Sequence, residues 1–270
     1  MLASAVPSLH HAGVQVVVQV PMASRVVVEV TVDSAAGAMA AAQAGADRLE
    51  LAMALGEGGL TPSPGLVAAV RAAVALPVCV LVRPRAGDFL YDAAEREVML
   101  RDIAALRDAG VAGIVIGALT ADGRLDAAAM ADFVAAAGPL SVTCHRAFDL
   151  ARDAFEALAT LPQLGVARVL TSGQAASAPA GAALLRQLVA RAGNDLTVMA
   201  GAGVRPDNVQ ALVATTGCRE VHLSASSFVP SAMQFRREGV AMGGSAPLSE
   251  YTRRVTDPAV VAAVVQAVRG

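Results

Sequence analysis

Glu29, Glu50, Arg83, Arg85, His145 and His222 are the side chains of this sequence best suited to moving protons or gripping anions, and each stands where a β-branched or apolar run stops. Arg83 and Arg85 flank Pro84; period-two alternation sends both forks to one side, the arrangement that suits a carboxylate or phosphate. Glu29, Glu50 or Asp88 could instead neutralise them from within the protein. Glu29 and Glu50 close consecutive runs and can serve as an acid/base pair, as metal ligands, or as counter-ions to the arginines. His145 is the foremost candidate for proton transfer, because imidazole titrates near neutrality and this one is followed by Arg146 and Asp149. His222 shares parity with Ser224 and is expected to face His145. Three small-residue turns follow later runs: Thr171-Ser172-Gly173, Gly201-Ala202-Gly203 and Ser224-Ala225-Ser226. Their backbone N–H groups can approach an oxyanion, although glycine also serves simply to turn the chain.

Residues so scattered act together only if a regular framework gathers them. Short strands are expected at Val26–Thr31, Arg48–Leu51, Val78–Val82, 113–117, Leu140–His145, Arg168–Thr171, Thr197–Ala200 and Glu220–Leu223. Ala/Leu/Val-rich stretches of helical period alternate with them. The helices are expected to 44, and at 64–75, 92–109, 126–137, 152–161 and 180–191, with another starting near Pro206 and the last at 257–268. Eight strand–helix units predict an α/β fold, a single (β/α)8 TIM-type barrel whose C-terminal strand ends converge on one mouth. Residues 228–255, rich in Pro and Gly, form an insertion after strand eight that is either a lid or a subunit contact.

With 270 residues, 55% hydrophobic, the chain has the size and apolar content of one such domain. A net charge of −2 and only 16% charged residues argue against nucleic acid or a membrane surface as partner. All 21 basic residues are arginine, so a lysine Schiff base, lysine-bound pyridoxal phosphate and a Walker lysine are excluded. The odd, dispersed cysteines Cys79, Cys144 and Cys218 point to a reducing compartment rather than a disulfide framework. Residues 1–24 carry no Lys, Arg, Asp or Glu and so lack the basic start of a signal peptide. They are expected to be a disordered extension, with Met22 a candidate natural start and the barrel domain spanning 25–270.

Several segments together resemble the CutC family: Val28-Glu29-Val30, Gly45-Ala46-Asp47-Arg48-Leu49-Glu50-Leu51, Glu57-Gly58-Gly59-Leu60-Thr61-Pro62-Ser63, Arg83-Pro84-Arg85-Ala86-Gly87-Asp88-Phe89, Thr143-Cys144-His145-Arg146-Ala147-Phe148-Asp149, Arg168-Val169-Leu170-Thr171-Ser172-Gly173 and Met199-Ala200-Gly201-Ala202-Gly203-Val204. The resemblance implies a TIM-type barrel, a cytoplasmic location, and copper homeostasis with copper as the bound metal. Members of the family place cysteines after the first-strand glutamate and after the second-strand Glu-Leu pair, where this chain has Thr31, Val32 and Ala52. Two readings therefore stand. One is copper handling. The other is an enzyme acting on a small anionic or phosphorylated metabolite, with Glu29, Glu50, His145 and His222 as acid/base candidates. In that reading Arg83, Arg85, Arg146, Thr171, Ser172, Gly173, Gly201, Gly203 and Ser224 hold the anion. A homo-oligomer is compatible with either.

Overall fold

The computed structural model describes residues 25–237, 239–240 and 249–270; the expected N-terminal extension and the middle of the insertion lie outside the described residues. Eight parallel strands close on themselves in sequence order: β1 (Val27–Val32), β2 (Arg48–Leu51), β3 (Val78–Leu81), β4 (Gly113–Ile116), β5 (Ser141–Cys144), β6 (Arg168–Thr171), β7 (Thr197–Ala200) and β8 (Glu220–Leu223). Between and after them run α1 (Ala35–Gln43), α2 (Pro64–Ala73), α3 (Ala93–Asp108), α4 (Ala127–Ala137), α5 (Ala154–Gln163), α6 (Ala182–Ala192), α7 (Val209–Thr216) and α8 (Pro258–Arg269). The expected (β/α)8 barrel is therefore what the chain forms.

The strands alternate strictly. Val28, Val30 and Val32 of β1 and Leu49 and Leu51 of β2 are fully buried in the apolar layer beneath the helices. The alternate positions, among them Glu29, Arg48 and Glu50, face the barrel axis. Most helix starts are set by short polar residues: Ser34 caps α1, Ser63 precedes Pro64 and caps α2, and Asp92 with Glu95 forms a capping box on α3. Asp126, Asp153 and Asp257 cap α4, α5 and α8 through side-chain oxygens.

Two local expectations are corrected. Pro206 does not open α7: the Arg205 N–H donates to Asn208 Oδ1, which folds residues 205–208 into a turn and delays the helix to Val209. The insertion also contains strand pairing that its Pro/Gly content concealed. An antiparallel hairpin joins β9 (Ser226–Pro230) to β10 (Thr252–Thr256), with Arg254 opposite Phe228. It leaves directly from the C-terminal end of β8 and is pinned by Thr256 against Gly37 of α1 and by the Asp257 N–H on the Ala225 carbonyl.

Candidate functional site

The axis of the barrel is filled by charge rather than by hydrocarbon. Arg48 on β2 pairs with Glu29 on β1 and reaches over to Glu220 on β8. Glu220 also accepts from Arg168 Nε on β6 at 2.6 Å, and Arg168 donates to Thr143 Oγ1 on β5 at 3.0 Å. Arg48 further approaches the Met199 sulfur on β7 at 3.4 Å. Pairs between non-adjacent strands can form only across the interior, so one buried network ties these strands together. Arg48, Arg168 and Glu220 were absent from the expected site. Their signal was present, since each is a charged residue inside a strand on the same parity as Glu50, Ser172 and His222.

Above this network His222 bridges to the mouth. Its Nδ1 lies 2.8 Å from Glu29 Oε1 and its Nε2 lies 2.7 Å from Thr31 Oγ1 and 3.9 Å from Glu50 Oε1. Burial would depress His222, but the carboxylates of Glu50 and then Glu29 outweigh it and raise its pKa. Burial would likewise raise Glu29; the hydrogen bond and charge of His222, then Arg48, hold it well below the carboxylate range. Glu50 behaves oppositely. Burial lifts it to about 7, with His222 pulling down and Glu29 pushing up, and its Oε2 is buried without a hydrogen-bond partner.

A cavity of about 190 Å³ opens over these groups. Glu50, Arg83, His145 and His222 line it with Arg146, Ser224 and Arg254, while Ala52, Leu55, Leu81, Phe89 and Leu170 supply apolar wall. Arg83 is held by neutral carbonyls: its Nη1 donates to Glu57 O at 2.8 Å and Gly59 O at 3.0 Å, and its Nη2 to Gly87 O at 2.8 Å. Its Nε has no partner, its guanidinium lies 5.1 Å over the Phe89 ring, and it forms no ion pair among the described residues. His145 takes the Ala147 N–H on Nδ1 at 3.1 Å, which places its own proton on Nε2, again buried and unpartnered. Burial, then the Arg83 charge, lower its pKa to about 3, so it is a neutral donor. Its ring fits only because Gly117, at the end of β4, has no side chain: a Cβ there would stand 2.6 Å from the imidazole.

Several expected site residues are placed elsewhere. Glu29 lies beneath the cavity, engaged by Arg48 and His222, and is not in its lining. Arg85 does not accompany Arg83, because β3 has ended at Leu81 and the alternation no longer holds. It turns outward to Glu95 and to Asp88, 2.9 Å away. The Thr171-Ser172-Gly173 turn does cradle an anion, but an internal one. Asp149 accepts from the Ser172 N–H at 3.0 Å, Ser172 Oγ at 2.9 Å, the Gln174 N–H at 3.2 Å and the Thr171 hydroxyl. Arg146 lines the cavity yet is paired with the same Asp149 at 2.8 Å. Gly201 and Gly203 are not in the lining; a Cβ on Gly201 would meet Leu170 Cδ1 at 2.4 Å, so its smallness serves packing.

The CutC family pattern matches residues 26–227. The chain belongs to the CutC family. A CutC family protein of Chromobacterium violaceum is 48% identical over 241 residues, which cover 89% of this chain and 97% of the relative. The solved structure of a Streptococcus agalactiae CutC, described by name as a copper homeostasis protein, is 27% identical with a TM-score of 0.70; the match covers 73% of this chain and 97% of that one. Phosphoribosylanthranilate isomerase from Thermotoga maritima, 12% identical with a TM-score of 0.57 over 91% of this chain and 99% of its own, shares the fold alone.

The copper in that relative's name can be tested against the donors of this CutC member. Among the described residues, one group brings three potential ligand atoms together: Glu29, Glu50 and His222, within 4.8 Å of one another. Both oxygens of Glu29 are already engaged, and the set contains no sulfur, the donor that Cu(I) prefers. The three thiols are free, buried and dispersed. Cys79 packs with Ala52, Leu81 and Val115 inside the barrel and burial pushes it up to about 12. Cys144 sits in the apolar layer with its thiol 3.6 Å from the His145 carbonyl, and Cys218 precedes β8 at the opposite end. These residues do not fit a Cu(I) site. No helix among the described residues is long and apolar enough to cross a membrane.

Proposed function

We propose that this CutC member is an enzyme that moves a proton on a small anionic metabolite in the cavity at the barrel mouth. The observation that carries the reading is a concentration of unsatisfied polarity. Glu50 Oε2, Arg83 Nε, His145 Nε2 and Arg254 Nε are buried without hydrogen-bond partners, and all four belong to residues lining one cavity. An orphaned buried polar atom costs about 1–3 kcal/mol, so such a cluster calls for a polar ligand.

The groups divide the work. A carboxyl near pKa 7 is matched to exchanging protons at neutral pH. As carboxylate, Glu50 takes a proton from a carbon beside a carbonyl and becomes the acid. The C–H electron pair forms the enolate, and negative charge gathers on the carbonyl oxygen. His145 is the partner for that oxygen: a neutral imidazole donates Nε2–H without first losing a proton, the division of labour known from enolising isomerases. The fixed charge of Arg83 adds to it. His222, held by Glu29 and Thr31, stands 3.9 Å from Glu50 and pulls its pKa back down against burial. A cavity of about 190 Å³ suits a small carbon skeleton.

Copper handling, the role in the name of the Streptococcus relative, is the competing reading and requires convergent sulfur or imidazole donors. A cytoplasmic site of action belongs to our proposal and is supported by three unpaired cysteines. The test is solvent isotope exchange: small carbonyl acids incubated with the protein in D2O should lose their α-proton NMR signals, and Glu50→Gln should slow this at least about a hundredfold. Exchange at the parental rate in that variant, or none across the panel, removes the reading.

A further inference from the structure

Arg254 lies beyond the matched family region of 26–227 and arrives on β10, the strand of a hairpin rather than of the barrel. It nevertheless lines the mouth cavity, and its Nε is buried without a partner. Among the described residues it forms no ion pair, whereas Arg146 beside the same cavity is compensated by Asp149. Arg83 is the other cavity arginine without a carboxylate, its fork fixed by three carbonyls. Arg83 follows β3 of the barrel, whereas Arg254 arrives on β10 of the hairpin, so the two forks that border the cavity belong to separate elements. Two guanidiniums without an ion pair among the described residues, bordering one small, partly apolar cavity, are unfavourable until anions meet them.

We propose that Arg254 is a substrate-binding residue, and that the substrate class is a small metabolite with two anionic groups, one for Arg83 and one for Arg254, flanking the carbon that Glu50 addresses. This rests on reading the cavity as the substrate site, and it narrows that reading from an anion to a dianion. The two groups share oxyanion chemistry, so carboxylate and phosphate both satisfy the forks. The β9–β10 hairpin thereby brings to the mouth a specificity determinant that the eight barrel units do not provide.

Equilibrium binding tests this without turnover. The full chain is titrated calorimetrically with acetate and inorganic phosphate, each with one group, and with malonate, succinate and 2-phosphoglycolate, each with two. At least one two-group probe should bind about ten-fold or more tighter than either single-group probe. Preference for 2-phosphoglycolate over the dicarboxylates identifies phosphate as one of the groups; the reverse identifies two carboxylates. Arg254→Gln should abolish the advantage, whereas Arg253→Gln, on the exposed neighbouring position, should change neither it nor acetate binding. Arg254→Lys, which keeps the stem and charge but not the fork, serves if the glutamine variant fails to fold, and should also lose most of the advantage. Equal affinity for one- and two-group probes, or an advantage retained without Arg254, overturns the proposal. Tight two-group binding without isotope exchange leaves it standing and removes the acid/base reading; exchange on a single-anion substrate without that advantage does the opposite.

Discussion

Replacing Glu50 by glutamine should make the protein more stable, and increasingly so as the pH rises. In the unfolded chain this carboxyl ionises near 4.5; in the fold, burial lifts it to about 7, a value that already contains the attraction of His222. Below pH 4.5 both states hold the proton and Glu50 costs nothing. Between 4.5 and 7 the unfolded chain releases it first, so stability falls as pH rises, and above 7 the penalty is complete. At about 1.4 kcal/mol per tenfold change in acidity, the displacement amounts to roughly 3 kcal/mol. Glutamine keeps the shape and cannot ionise. It leaves an unpartnered polar atom where Glu50 Oε2 already is one, a contribution that does not vary with pH. Urea unfolding followed by far-UV circular dichroism at pH 4.5, 5.5, 6.5 and 8 should give variant-minus-parent differences that climb by roughly 3 kcal/mol across the series. A difference that is flat with pH, or that falls, would refute the argument that burial governs this carboxyl.

Asp149→Asn should destabilise by roughly 3 kcal/mol, because an amide nitrogen replaces the oxygen that accepts from Arg146 Nε and the Ser172 hydroxyl, and the charge that balances Arg146 is lost; a loss below about 1 kcal/mol in urea would contradict the role assigned to that carboxylate. The His145 ring, with its pKa lowered to about 3 by burial and Arg83, should keep a neutral Nε2–H form from pH 8 down to 5, and 15N NMR that shows it titrating in that window would remove its role as a fixed donor. Cu(I) binding should be weak and nearly unchanged by Cys79→Ser or Cys144→Ser, whereas tight stoichiometric binding lost in either variant would restore the copper role.

The barrel was legible because its strands are buried on both faces and bounded sharply by Gly, Pro and charge. The expected limits of β2, β6, β7 and β8 coincide with those observed. Glu50, Arg83, His145 and His222, expected together from their placement at strand ends, line one cavity. Parity misled at Arg85, since alternation ends with the strand and β3 stops at Leu81. The Thr171-Ser172-Gly173 turn reads as a cradle for a substrate anion; nothing in three residues says whether the anion is a ligand or Asp149, which lies on the preceding βα connection. Arg254 was missed for a different reason. Its hairpin pairs residues more than twenty positions apart through a Pro/Gly-rich stretch, so no local period marks which of Arg253 and Arg254 turns inward.

The charged column along the barrel axis bears on how the chain finds its fold. In a barrel lined only by Val and Leu, sliding one strand by a residue exchanges hydrocarbon for hydrocarbon and competes closely with the correct closure. Here the same slip would drive Glu29, Arg48, Arg168 or Glu220 into the greasy layer under the helices and strand its partner unpaired inside, a double charge-burial error on the order of several kcal/mol. The ion pairs thus work as wards in a lock, admitting one shear of the sheet and rejecting its neighbours. Their members should consequently tolerate change only in company: a single substitution jams the closure, while a matched pair of replacements can reopen it.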